Sequence, residues 1–150
     1  MNRREFNTLL PMAMALGSVS TLQAEAQTTP AHALQPIASG VYPPGAPHGA
    51  ATQRVSHPYL TGLLTAGDVR LEIHETTQEP GAPHEAIGTH LHNEIWLVRE
   101  GTVELTTNGV ARRMVAGDVG ICIAGDKHFI ANVGETRATY FVVTVGPPTE

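Results

Sequence analysis

The sequence predicts an all-β protein folded as a sandwich or a closed barrel. Short apolar–polar alternations recur at near-regular spacing from about residue 57 to residue 145, each bounded by Gly, Asn or Asp. Fifteen glycines and eleven prolines in 150 residues supply the turns that such short strands need. Over the same region no segment sustains the apolar stripe of a helix face over several turns.

Taken in order, Val69, Leu71 and Ile73 alternate with Arg70, Glu72 and His74, which predicts a strand because successive side chains point to opposite faces. Residues 94–98 predict a second strand, closed by Gly101, and Val103 and Leu105 alternate with Glu104 and Thr106 in a third. Asn108-Gly109 then predicts a type I′ hairpin, whose two central residues both need positive φ, and residues 110–115 return. After a turn at Gly117-Asp118, Val119, Ile121 and Ile123 form a strand with the small Gly120 and Cys122 between them. Gly125-Asp126 turns the chain again, and residues 129–133 and 139–145, separated by Gly134-Glu135-Thr136, complete the set. No internal repeat is present, so one barrel is expected and not two.

Composition excludes several classes. The net charge is −5 and the basic residues do not cluster, so no nucleic-acid partner is expected. A single cysteine, Cys122, rules out an intrachain disulfide, and its place between Ile121 and Ile123 reads as a small buried hydrophobe. There is no G-x-S-x-G, no P-loop and no glycine fingerprint for a dinucleotide.

Residues 1–26 read as a signal peptide. Arg3-Arg4-Glu5-Phe6 gives a charged start, residues 9–22 form an apolar stretch too short for a secure membrane span, and Ala24-Glu25-Ala26 offers a cleavage site. The paired arginines before Phe6 resemble a twin-arginine signal, although Asn2 stands where Ser or Thr is usual and the later Lys is missing. Export to the periplasm or the outside is therefore expected, with no membrane contact after cleavage. Residues 27–53, rich in Pro, Gly and Ala, read as a linker or arm: a spacer, above all in the first half, or an extension packing along a partner subunit. Residues 54–150 hold the barrel.

Within the barrel segment two motifs resemble those of the cupin superfamily, G-x5-H-x-H-x3-4-E-x6-G and G-x5-P-x-G-x2-H-x3-N. The second fits from Gly117 through Gly125 and His128 to Asn132, with Ile123 in place of the proline. In the first, Glu94 and Gly101 fit the end, but the two histidines then fall at Gly88 and His90. Two registers compete: Gly88 has replaced the first histidine, or His90 and His92 are the pair and the turn before Glu94 is shortened. His84 is a further residue that could fill the Gly88 vacancy. The resemblance implies a single jelly-roll barrel (a double-stranded β-helix) and a homodimer, the arm being long enough to reach a neighbour.

Strand parity supports a metal in either register. If the strand is regular, His90, His92 and Glu94 face one space, and His128 arrives from a distant strand. The expected metal ligands are His90, His92, Glu94 and His128. Imidazole and carboxylate suit one divalent first-row ion, Fe, Mn, Ni, Cu or Zn, whereas Ca and Mg prefer oxygen shells. Losing a ligand at Gly88 would leave His90, Glu94 and His128, which resembles a two-histidine, one-carboxylate triad. His57 and His74 read as hydrogen-bonded strand residues, Trp96 as a core filler or a cavity-facing ring, and Tyr140 and Phe141 as core or dimer surface. The expected function is that of an exported metal-dependent enzyme, of oxygenase, lyase or isomerase type, on a small organic molecule. The alternative is a non-enzymatic module that binds a small ligand or metal.

Overall fold

The computed structural model describes residues 34–49 and 53–148. The expected signal peptide, residues 1–26, and the start of the linker lie outside the described residues.

Eight strands and no helix make up the described residues: β1 (Arg54–Leu64), β2 (Val69–Gln78), β3 (Asn93–Glu100), β4 (Thr102–Thr107), β5 (Val110–Val115), β6 (Val119–Cys122), β7 (His128–Asn132) and β8 (Ala138–Gly146). They form two antiparallel sheets, one in the order β1-β2-β8-β3-β6 and one in the order β5-β4-β7. The expected all-β jelly roll is the fold observed. Each strand alternates in and out, so the inner sets of both sheets meet in one core: Trp96 and Val98 from β3, Val103 and Leu105 from β4, Met114 from β5, Cys122 from β6, Ile130 from β7, Tyr140 and Val142 from β8. Burying a side chain of this kind contributes about 1.5–3 kcal/mol. Val103 and Ile130 are fully buried and Trp96 nearly so.

In β2 the polar set of the alternation, not the apolar one, turns inward. Thr76 and Gln78 are completely buried. Leu71 and Ile73 lie opposite Val145 and Val143 of β8 on the outer face, in a row that continues through Ile95 to Ile121. Ser56 and Thr76 share a hydroxyl hydrogen bond of 2.8 Å, the Gln78 side-chain amide donates to the Pro83 carbonyl at 3.4 Å, and the Asn132 amide donates to the Gln78 backbone carbonyl at 2.9 Å, while Gln78 Oε1 is buried without a partner among the described residues. β6 behaves alike. Val119 and Ile121 are about 60% exposed, while Gly120 presses against Leu105 and Met114, where a Cβ would come within 2.8–2.9 Å.

Part of the linker segment, residues 34–49, lies along β1 of the same barrel. Ile37 N–H donates to Leu63 O and Leu63 N–H to Gln35 O, both at 2.8 Å, and His48 and Ser56 exchange backbone hydrogen bonds of 3.0 and 2.9 Å.

The hairpin between β4 and β5 has the expected positive φ at both central residues, 49° at Asn108 and 78° at Gly109. Asn108 also braces the turn between β6 and β7. Its side-chain amide donates to Asp126 Oδ1 at 2.7 Å, and Lys127 N–H donates to its Oδ1 at 3.0 Å. Gly109→Ala tests this turn without steric interference, because a Cβ there would meet nothing within 4 Å. The left-handed backbone alone should cost about 1–2 kcal/mol, read as a lower urea midpoint at unchanged m-value.

Candidate metal centre

The site lies where β3 and β7 face each other across the barrel. β3 turns Glu94, Trp96 and Val98 inward, and β7 turns His128, Ile130 and Asn132 inward. His90 and His92 come from the segment before β3. That segment is sewn to the start of β7: Gly88 and His128 exchange backbone hydrogen bonds of 2.9 and 3.0 Å, Gly125 N–H donates to His90 O at 2.8 Å, and the Thr89 hydroxyl donates to Gly125 O at 3.2 Å. Gly125 makes the intervening turn at a φ of 90°, which glycine adopts without a Cβ penalty.

His90, Glu94 and His128 are thereby brought together, with ligand-type atoms all within 4.8 Å of one another. His128 Nε2 is 3.2 Å from Glu94 Oε2, and His90 Nε2 is 3.8 Å from Glu94 Oε1. His128 is almost fully buried, Glu94 largely so, and His90 is 40% exposed toward the mouth. His92, the fourth expected ligand, stands outside this group of three. It is buried, stacks on His90 with ring centroids 4.5 Å apart, and places Nε2 3.1 Å from Glu94 Oε1.

The protonation pattern of His128 follows from its partners. Its Nδ1 is 3.1 Å from the Asp126 carbonyl, which only accepts, so Nδ1 carries the proton. In the neutral ring Nε2 then presents a lone pair to the Glu94 carboxylate. Two electron-rich groups 3.2 Å apart in a buried setting call for a cation between them, a proton or a metal ion. The donor set of two imidazoles and a carboxylate fits a first-row transition ion. A backbone carbonyl that fixes the tautomer is the usual outer support of a metal-binding histidine.

Gly88 points at the cluster. A Cβ built on it would lie 2.8 Å from His90 Nε2 and 3.5 Å from His128 Nε2. This geometry favours the register in which Gly88 occupies the first histidine's position and His90 the second's. His84 is engaged elsewhere, stacked on Phe129 and bonded to the Glu85 carbonyl. His57 bonds the Gly45 carbonyl at 3.2 Å.

The cluster opens into a cavity of about 360 Å³ lined also by Arg54, His74, Glu85, Trp96 and Val142. Trp96 and Val142 belong to both core and lining, so Trp96 fills the core and faces the cavity at once. Three lining residues are not evident from the sequence. His74 stands on the polar face of β2, which is the inward one. Arg54 and Glu85 carry no motif; they form a salt bridge across the cavity wall. Burial would lower the Arg54 pKa, but Tyr140 and Glu85 outweigh it and raise the value. Burial pushes the Tyr140 phenol up to about 12, with Arg54 opposing, so the hydroxyl keeps its proton. Burial likewise pushes the Cys122 thiol up to about 11, helped by Asp126 and Glu94, which leaves it a neutral core residue and not a thiolate ligand. Burial also holds the His74 imidazole below its ordinary value, against the pull of Glu72 and Glu94 and with Arg54 pushing the same way.

Comparison with known proteins agrees with this architecture. Residues 74–144 match the family model of the cupin domain, a span that contains all three clustered residues. No curated protein matches the chain. Among solved structures, KdgF from Halomonas sp. superposes with a TM-score of 0.61 at 14% identity, covering 72% of this chain and 94% of that one. An RmlC-like cupin from Shewanella frigidimarina gives 0.55 at 17%, covering 67% and 83%. A cupin-superfamily sugar phosphate isomerase from Silicibacter pomeroyi gives 0.50 at 23%, covering 69% and 70%. At these identities the likeness is one of fold.

Two outcomes follow. Gly88→Ala should leave stability within about 0.5 kcal/mol, because the atom it meets is the far end of a side chain, yet displace His90 and weaken metal affinity about tenfold; calorimetric metal titration beside urea unfolding reads both. For His74 the folded pKa lies below the unfolded one, so the unfolded chain binds the extra proton first. The associated stability is complete above about pH 6.5 and is lost as pH falls below it. His74→Gln in metal-free protein should show a smaller loss between pH 7.5 and pH 5.5 than the parent.

Proposed function

From a cupin barrel whose cavity wall carries a two-histidine, one-carboxylate cluster, we propose that the chain holds one divalent first-row transition ion on His90, Glu94 and His128. On this reading it acts as a metal-dependent enzyme on a small organic molecule. The observation that carries the proposal is the buried 3.2 Å approach of His128 Nε2 to Glu94, with Nδ1 already committed to the Asp126 carbonyl. His92 then serves Glu94 from the other side, holding Oε1 while Oε2 meets His128.

A bound ion of this kind supplies a Lewis acid for an oxygen of the substrate. The chain's own residues do the rest. Trp96, almost fully buried, packs T-shaped against the His128 ring with centroids 5.5 Å apart. His90, half exposed at the mouth, leaves the approach side open. The neutral His74 imidazole and the Arg54 guanidinium face the space a substrate would fill.

The same proposal has the chain exported by the Arg3-Arg4 signal, acting outside the cytoplasm as a homodimer without membrane or nucleic-acid partners. Copper and zinc outcompete iron and manganese at most such sites. A protein that folds around its ion before export keeps its choice of metal.

One observation favours a second reading, capture of a small ligand or metal without turnover: Gly88 removes a donor that the resemblance would place beside His90. Purification of the mature chain after native export, followed by elemental analysis, tests the leading proposal. About one equivalent of a first-row metal is expected, lost in both His90→Ala and His128→Ala. Metal-free protein in every preparation sinks it. With metal bound, absence of turnover on phenols, diketones and thiols, scored by O₂ uptake and product analysis, would favour the second reading.

A further inference from the structure

The metal cluster occupies only one wall of its cavity. Another wall is the Arg54–Glu85 salt bridge, which joins the first residue of β1 to the segment that precedes β3. The two partners differ in exposure. The Arg54 side chain is 19% exposed, and that of Glu85 is 33% exposed. A guanidinium so far from water needs an anion beside it, whereas a carboxylate with a third of its surface in solvent gives up its partner at small cost. Glu85 sits on a segment outside the sheets, bordered by the strongly exposed Ile87. An incoming carboxylate can replace Glu85 on Arg54 like for like, in the planar two-point geometry that a guanidinium favours.

Charge balance sets the class of ligand. Arg54 and Glu85 cancel. Glu94 offsets one of the two charges of a divalent ion, His74 is neutral, and one positive charge remains in the cavity. A monoanion completes the balance. The apolar part of the lining, Trp96, Val142, Ile87 and Ala86, accepts a hydrocarbon body, and about 360 Å³ limits it to a small one.

We propose that Arg54 is the carboxylate-binding subsite of this cavity, occupied by Glu85 until a small monocarboxylic acid takes its place. The assignment rests on the metal reading above for the charge balance, but the subsite itself, Arg54 with Glu85 against it, uses none of the cluster's residues.

The test is calorimetric titration of the full mature chain with 3-hydroxypropanoate and with its uncharged amide, beside elemental analysis of the same preparations. The acid should bind at least tenfold more tightly than the amide. Arg54→Gln should abolish that difference, and Glu85→Gln should change affinity in the opposite direction, tightening the acid severalfold by removing the competing carboxylate. Metal content should be equal in parent and variants, because neither residue belongs to the cluster. Equal binding of acid and amide overturns the subsite, as does equal weakening in both variants, which is what a purely structural ion pair would give. Tighter binding of inorganic phosphate than of the acid overturns the carboxylate assignment. Arg54-dependent acid binding by a metal-free protein would sink the metal reading and leave the subsite standing; retained metal without Arg54 dependence would do the reverse.

Discussion

The approach of His128 to Glu94 constrains the rest of the molecule. A buried lone pair facing a largely buried carboxylate is unfavourable unless a positive charge lies between them, so the fold must hold both groups in place and leave room for that charge. Every local device near the site serves this. The Gly88–His128 bridge and the Gly125–His90 bond fix the incoming segment against β7. Asn108, from a hairpin between two other strands, braces the Asp126-Lys127 turn whose carbonyl sets the tautomer of His128. The hairpin is thus coupled to the site through two side-chain bonds and one carbonyl.

The barrel interior is divided between packing and chemistry. Trp96 and Val142 form the boundary. On one side lie the closely packed Val103, Leu105, Ile130 and Tyr140; on the other lies the polar cavity. The division explains why β2 turns Thr76, Gln78 and His74 inward. That strand crosses from the polar groups beside Asn132 to the cavity wall, and its apolar residues find their neighbours on the outer face. Polar groups inside cost free energy unless they are bonded. Here most of them are, or they face the space that a ligand would fill.

Much of this was legible in the chain. The strands from Val69 onward, the Asn108-Gly109 turn and the antiparallel all-β class follow from alternation and turn chemistry, both local properties. β1 was less visible because Pro58 and the irregular pairing between Pro58 and Leu60 blur its period. The convergence of His90, Glu94 and His128 was readable through the resemblance of their spacings to the two cupin motifs. His92 keeps the expected parity, stacking on His90 and reaching Glu94 Oε1, but it stands outside the group of three, and spacing alone does not separate the two cases. Arg54 and Glu85 had no signature at all. Their meeting depends on how an irregular segment folds over the barrel mouth, and no periodicity encodes that.

The strap formed by residues 34–49 has a consequence for how the chain avoids its own kind. β1 is an outer strand of the five-stranded sheet and eleven residues long. An open strand of that length is a template on which foreign strands add, the first step toward fibrils. The opposite border, β6, has only four residues and offers little to build on. By bonding to Leu63, Pro58 and Ser56, the strap occupies the dangerous border with the chain's own backbone. Losing the strap would bare the eleven-residue edge of β1 and take away the barrel's guard against polymerisation.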